Sequence, residues 1–177
     1  GASQPRRRRF DVARFAERWG VVVALVLLFT VSAIANDAFL RPENLVNILR
    51  QVSVIGVIAV GMTIVIIAGG IDLSVGSMVA LIGVLAIEAM NAAMKSGTGE
   101  GAAVALAFGV ALLSGPLLGL VNGALVAYGR VAAFIATLGA MLAYRSLALT
   151  FADGGQATSA SREMFSTLGS GGVPIPG

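Results

Sequence analysis

Charged side chains are so sparse along this chain that they mark its organisation. Between Arg18 and Asp37 lie 18 uncharged, mostly apolar residues (19–36), and between Arg50 and Asp72 lie 21 (51–71). A third apolar run covers 73–94 and carries only Glu88, in its last turns. Between Glu100 and Arg130 lie 29 uncharged residues, enough for a helix over 102–128, and a fifth run at 131–151 is interrupted by Arg145 near its far end. A bilayer core about 30 Å thick takes about 20 residues at 1.5 Å rise. The pattern therefore predicts an all-α integral membrane protein, a polytopic bundle of about five spans. The fourth run exceeds one crossing, so tilt or a kink at Pro116 is expected.

Composition agrees with this pattern. Of 177 residues, 57% are hydrophobic and 12% charged, against about 25% charged in a soluble domain. There is no cysteine and no histidine, which excludes disulfides, thiolate chemistry, and Ser-His or Cys-His nucleophile pairs. The net charge of +3 is concentrated at one end. Residues 1–18 hold six arginines (Arg6, Arg7, Arg8, Arg9, Arg14, Arg18) against Asp11 and Glu17. A basic arm can bind nucleic acid, but this one directly precedes an apolar run, where it marks the cytoplasmic side of a membrane. The run is too long for the core of a cleaved signal, about 7–15 residues, and Ala33-Ile34-Ala35 is only a loose cleavage motif. An uncleaved anchor is the expectation.

With residues 1–18 inside, alternation puts Arg130 on the cytoplasmic side and the loop with Lys95 and Glu100 outside. The polar, Gly- and Ser-rich stretch 152–177, which closes on Val173-Pro174-Ile175-Pro176, then reads as an extracytoplasmic loop continuing towards a missing C-terminal half. Arg145 on the outer side runs against the positive-inside bias, which leaves room for a re-entrant fifth segment.

Candidate chemistry sits where polar groups interrupt apolar runs. Gly69 and Gly70 break the second run, and Asp72 follows without any hydrophilic loop. Asp72 can cap the next helix by accepting N–H bonds near Ser74 and Val75, with the helix dipole favouring its charge. An ionisable residue in a membrane segment is equally a candidate for coupling or transport. Gly115, Gly119 and Gly123 form a small-residue stripe on one helix face, and Asn122 lies beside it. The stripe suits close helix packing; Asn122 either bonds a neighbouring helix or lines a polar pathway. A phosphate-binding loop is absent: the Lys95-Ser96 pair has Met94 where the second glycine would stand. No cofactor and no metal are expected, and any ATP would be hydrolysed by a partner.

Several segments resemble the ribose/xylose-type permeases of ATP-binding cassette importers of monosaccharides. They are Asn44-Leu45-Val46-Asn47-Ile48-Leu49, Ala59-Val60-Gly61-Met62-Thr63, Gly70-Ile71-Asp72-Leu73-Ser74-Val75-Gly76-Ser77, Gly119-Leu120-Val121-Asn122-Gly123 and Phe134-Ile135-Ala136-Thr137-Leu138-Gly139. Ala133 stands where that family usually has proline, and Ser146 where it usually has glycine. The resemblance covers about residues 40–177 and implies the N-terminal half of a transmembrane subunit with a vitamin-B12-type (type II) helical fold. It also implies three protein partners: a second permease copy, an ATP-binding cassette ATPase subunit and an extracytoplasmic sugar-binding protein. On a permease reading the candidate path or gate positions are Asp72, Ser74, Asn122 and Thr137, with Gly69, Gly70, Gly76, Gly115, Gly119 and Gly123 as candidates for packing and hinges. An alternative is an ion-coupled carrier or channel using Asp72, since carriers also have helices broken near the midplane.

Overall fold

The computed structural model describes residues 12–161. The arginines at 6–9 and the Val173-Pro174-Ile175-Pro176 terminus lie outside the described residues. Five helices follow in order: α1 (Val12–Ala35), α2 (Pro42–Ile67), α3 (Val75–Lys95), α4 (Glu100–Ala127) and α5 (Ala133–Phe151). Among the described residues there is no strand. All five are long and apolar enough to cross a membrane, and the protein is an all-helical, multi-pass membrane protein.

The first two helices begin before their charge-free runs. α1 starts at Val12 and includes Arg14, Glu17 and Arg18, while α2 starts at Pro42 and includes Glu43 and Arg50. Charge limits what can enter lipid, not what can be helical: Arg and Glu are good helix formers, and proline is well suited to a first helical position. Glu43 in the first turn also complements the helix dipole. α4 continues through Pro116 as one helix of 28 residues, about 42 Å at 1.5 Å per residue.

The chain divides inside α2, at Val57, into two units. In the first, the connection after α1 is a compact turn. Asn36 accepts the Ala38 N–H at 2.8 Å, the Asn44 amide donates to the Phe39 carbonyl at 2.8 Å, and the Phe29 and Phe39 rings meet edge-on at 5.1 Å.

In the second unit α3 is central and packs against both α4 and α5, which touch each other less. One core cluster joins Met90 of α3 to Ala103, Val104 and Ala107 of α4. Another joins Leu81 of α3 to Tyr144 and Ala148 of α5, with Leu118 of α4 against it. Lipid tails are as apolar as leucine, so these contacts hold through close van der Waals fit rather than water exclusion. Alanines at 103, 107 and 148 permit that approach. Elsewhere the helices turn Val, Leu, Ile and Phe outward, as at Leu112, Leu120 and Ile135. Such surface is stable against lipid or against further helices.

The described part of the segment after α5 folds back on the far ends of α3 and α4. The Asn91 amide donates to the Thr158 carbonyl and accepts from the Ala160 N–H, both at 2.9 Å. The Ser161 hydroxyl donates to the Glu100 carboxylate.

Candidate functional site

The break between α2 and α3 is built by its glycines. The Gly69 N–H bonds the Ile66 carbonyl and the Gly70 N–H reaches back to the Val65 carbonyl, each at 2.9 Å, with Gly69 at φ +78°. This is the pattern that closes a helix C-terminus with a left-handed residue, which only glycine adopts without strain. At Gly70 a Cβ would stand 3.3 Å from Val65 Cγ1 and 3.4 Å from the Val65 carbonyl oxygen, so the turn is tight there as well.

The chain then crosses residues 71–74 outside any helix before α3 begins. Asp72 sits two residues ahead of Ser74, the N-cap. Its Oδ1 accepts the Ser74 N–H at 2.7 Å and the Ser74 hydroxyl at 2.6 Å. The carboxylate thus orders the approach to α3 through Ser74 rather than through the N–H groups of the first turn. Ser74 is fully buried, and its Oγ accepts from the Asn122 Nδ2 of α4 at 2.8 Å. Asn122, 5% exposed, accepts in turn at Oδ1 from the Tyr144 hydroxyl of α5 at 3.1 Å. That hydroxyl also lies 3.1 Å from the Leu118 carbonyl. Four side chains, two on the broken segment and one each on α4 and α5, therefore form one continuous polar line through an apolar bundle. Among the described residues no buried side-chain nitrogen or oxygen lacks a partner, as a low-dielectric interior requires.

Thr137 anchors the same segment from α5. Its hydroxyl lies 3.1 Å from the Ile71 carbonyl and 2.8 Å from the Ala133 carbonyl of its own helix. A threonine commonly bonds back within its helix; here the same hydroxyl also meets a carbonyl left open by the break.

Beside the polar line is a cavity of about 400 Å³ whose walls include Gly70, Asp72, Gly119, Asn122, Gly123 and Thr137. Of the expected path positions, Asp72, Asn122 and Thr137 line it, and Ser74 lies behind them. The glycine stripe is divided in its roles. A Cβ at Gly115 would meet Ile82 at 3.6 Å, whereas at Gly119 and Gly123 it would meet nothing within 4 Å. The upper stripe faces α3; the lower two glycines leave space. Gly76 lies apart, with Ser77 and Arg145 along a second, larger cavity of about 510 Å³ between α3 and α5.

Tyr144 is the member of this arrangement that the sequence reading omitted. The signal was present: it is one of two tyrosines and lies inside a span, where a buried hydroxyl must find a partner. Nothing in local spacing names that partner, 22 residues away.

Comparison with known proteins agrees with the resemblance read from the motifs. Residues 44–170 match the family model described as branched-chain amino acid transport system / permease component. The chain is 39% identical over 173 residues to the ribose import permease protein RbsC of Haemophilus influenzae, covering 94% of this chain and 51% of that protein. It is 41% identical over 176 residues to the ribose import permease protein of Escherichia coli K12, covering 96% and 52%. The xylose transport system permease protein XylH of E. coli K12 is 38% identical over 153 residues, covering 86% and 36%. The chain thus spans about half the length of the curated ribose permeases it matches. No solved structure matches it. On the family match, which takes in well over half of the residues, the chain belongs to the permease-component family of branched-chain amino acid transport systems.

Proposed function

We propose that this chain forms part of the transmembrane permease subunit of an ATP-binding cassette importer for a monosaccharide. An extracytoplasmic binding protein delivers the sugar, a separate ATPase subunit hydrolyses ATP, and two permease copies work as a pair with the type II helical fold. The observation that carries this reading is the similarity to ribose permeases along nearly the whole chain. The cavity beside Asp72, Asn122 and Thr137 supports it: a neutral sugar needs weak polar contacts, not a cage of charges.

In this reading the arm at 1–18 is cytoplasmic, the membrane is the bacterial inner membrane, and the helices alternate across it, leaving residues 152–177 outside. Asp72, Ser74, Asn122 and Thr137 form a constriction of the sugar path, with Gly69 and Gly70 as the hinge of the broken segment. Affinity resides in the binding protein, and the permease alternates its opening as the ATPase pair closes and releases.

Co-purification from native membranes in mild detergent, with mass spectrometry of the partners, tests the assembly. The expected result is an ATP-binding cassette protein and a sugar-binding protein with the bait. Uptake that survives ATP depletion but collapses with a protonophore would instead make Asp72 an ion-coupling site and end the importer reading.

A further inference from the structure

The direction of every proton in the polar line follows from its acidic end. An ionised carboxylate only accepts, so the single Ser74 hydroxyl proton, 2.6 Å from Asp72 Oδ1, is directed to it. Ser74 Oγ must then accept from Asn122, which presents Nδ2 to it and leaves Oδ1 facing the Tyr144 hydroxyl. Tyr144 must donate. Donation runs one way, from Tyr144 through Asn122 and Ser74 to Asp72; the Tyr144 and Ser74 hydroxyl protons are committed, and so is one of the two Asn122 Nδ2 hydrogens. The Thr137 hydroxyl is committed as well, to backbone carbonyls.

Both Ser74 donors converge on Oδ1. Among the described residues the other carboxylate oxygen, Oδ2, has no donor, and since no buried polar side-chain atom is left unpartnered, Oδ2 is accessible. Asp72 lines the 400 Å³ cavity. The unfilled capacity at Asp72 is therefore acceptor capacity.

Building on the permease reading above, we propose that Asp72 offers Oδ2 as a hydroxyl-accepting contact to a neutral polyhydroxy solute crossing this cavity, and that Tyr144 is the positioning residue holding it in that state. Without the tyrosine hydroxyl the Asn122 amide is free to turn over. Its Oδ1 would then compete for the Ser74 proton, and the carboxylate would lose the bond that fixes its orientation. A solute hydroxyl donating to Oδ2 completes the set of bonds that the carboxylate accepts.

The test uses the complete importer (full-length permease, ATPase and binding protein) in proteoliposomes. Labelled D-ribose, D-xylose and L-arabinose are supplied, and sugar imported is measured per ATP hydrolysed. Asp72→Asn keeps the shape but turns the acceptor into a donor, and Tyr144→Phe removes one oxygen. Each is expected to lower the ratio by about fivefold, the scale of one hydrogen bond. The double variant should be no worse than Asp72→Asn alone, because Tyr144 acts through Asp72. A purely structural role lowers import and ATP turnover together and leaves their ratio unchanged, and that result overturns the proposal. Full additivity in the double variant overturns the role of Tyr144. If Asp72→Asn does not assemble, Tyr144→Phe decides, and a wild-type ratio there overturns the proposal. A wild-type protein that co-purifies with no ATPase and carries no monosaccharide refutes the permease reading itself, and this inference with it.

Discussion

Replacing Asn122 by leucine isolates the energetic worth of the polar line, because leucine keeps the branched, four-heavy-atom shape of the side chain and leaves no cavity. Asparagine makes two side-chain bonds there, to Ser74 at 2.8 Å and from Tyr144 at 3.1 Å. A buried group left wholly unpaired costs about 1–3 kcal/mol, which for two orphaned partners would approach 6. Neither partner is orphaned, however. Tyr144 keeps the Leu118 carbonyl, and the Ser74 hydroxyl still donates to Asp72. The loss is then two interhelical bonds at the membrane scale of about 0.6 kcal/mol each, with about 1.7 as the upper end. The expected destabilisation is about 1–2 kcal/mol in total. Asn122→Asp should behave differently. It removes the Nδ2 donor and leaves two carboxylates contesting the single Ser74 hydroxyl proton in a low-dielectric site, which should cost about 3 kcal/mol or more. Reversible unfolding of the purified protein by SDS in bicelles, followed by circular dichroism, measures both. Leucine at or above wild-type stability, or an equal effect of the two variants, would refute the proton ordering argued here.

Thr137→Val should loosen the broken segment by about 0.5–1.5 kcal/mol, seen as faster amide exchange at residues 69–74, whereas Thr137→Ser retains the Ile71 bond and wild-type protection. Gly129→Ala should destabilise the α4–α5 turn by about 1–3 kcal/mol in the same unfolding assay, because a Cβ would stand 2.6 Å from the Leu125 carbonyl oxygen. Asn91→Ala should free the 158–160 backbone from α3 and raise its protease sensitivity, with little change in unfolding free energy, since both bonds lie in exposed surroundings.

What the sequence disclosed and what it withheld divide along one physical line. Helices close their own backbone bonds within four residues, and lipid excludes charge, so both leave a local record. Charge-free runs disclosed five helices, and Gly69-Gly70 disclosed the end of α2. The same runs understated α1 and α2, because Arg14 and Glu43 are compatible with helix but not with lipid. Asp72 was legible as a carboxylate bonding backbone near Ser74. That its main partner is the Ser74 hydroxyl, with Asn122 behind it, was not. The pairs that assemble the site are separated by 48 residues (Ser74 with Asn122), 22 (Asn122 with Tyr144) and 66 (Ile71 with Thr137). No periodicity encodes such separations; they follow from how α3, α4 and α5 pack.

The glycine stripe makes the same point from the side of absence. Three glycines at a spacing of four look equivalent in the sequence, and close packing was the natural expectation for all of them. Only Gly115 meets a neighbouring side chain, because Ile82 lies opposite it; Gly119 and Gly123 look onto the broken segment, which supplies no side chain to fill the gap. The tight approach of α4 to α3 is made instead by Ala103 and Ala107 near the other end. A small residue thus permits either contact or space, and the partner decides which. Here the helix break at Gly69 determines the second outcome. It ends α2, delivers Asp72 into the bundle, and leaves opposite Gly119 and Gly123 the opening that the carboxylate lines.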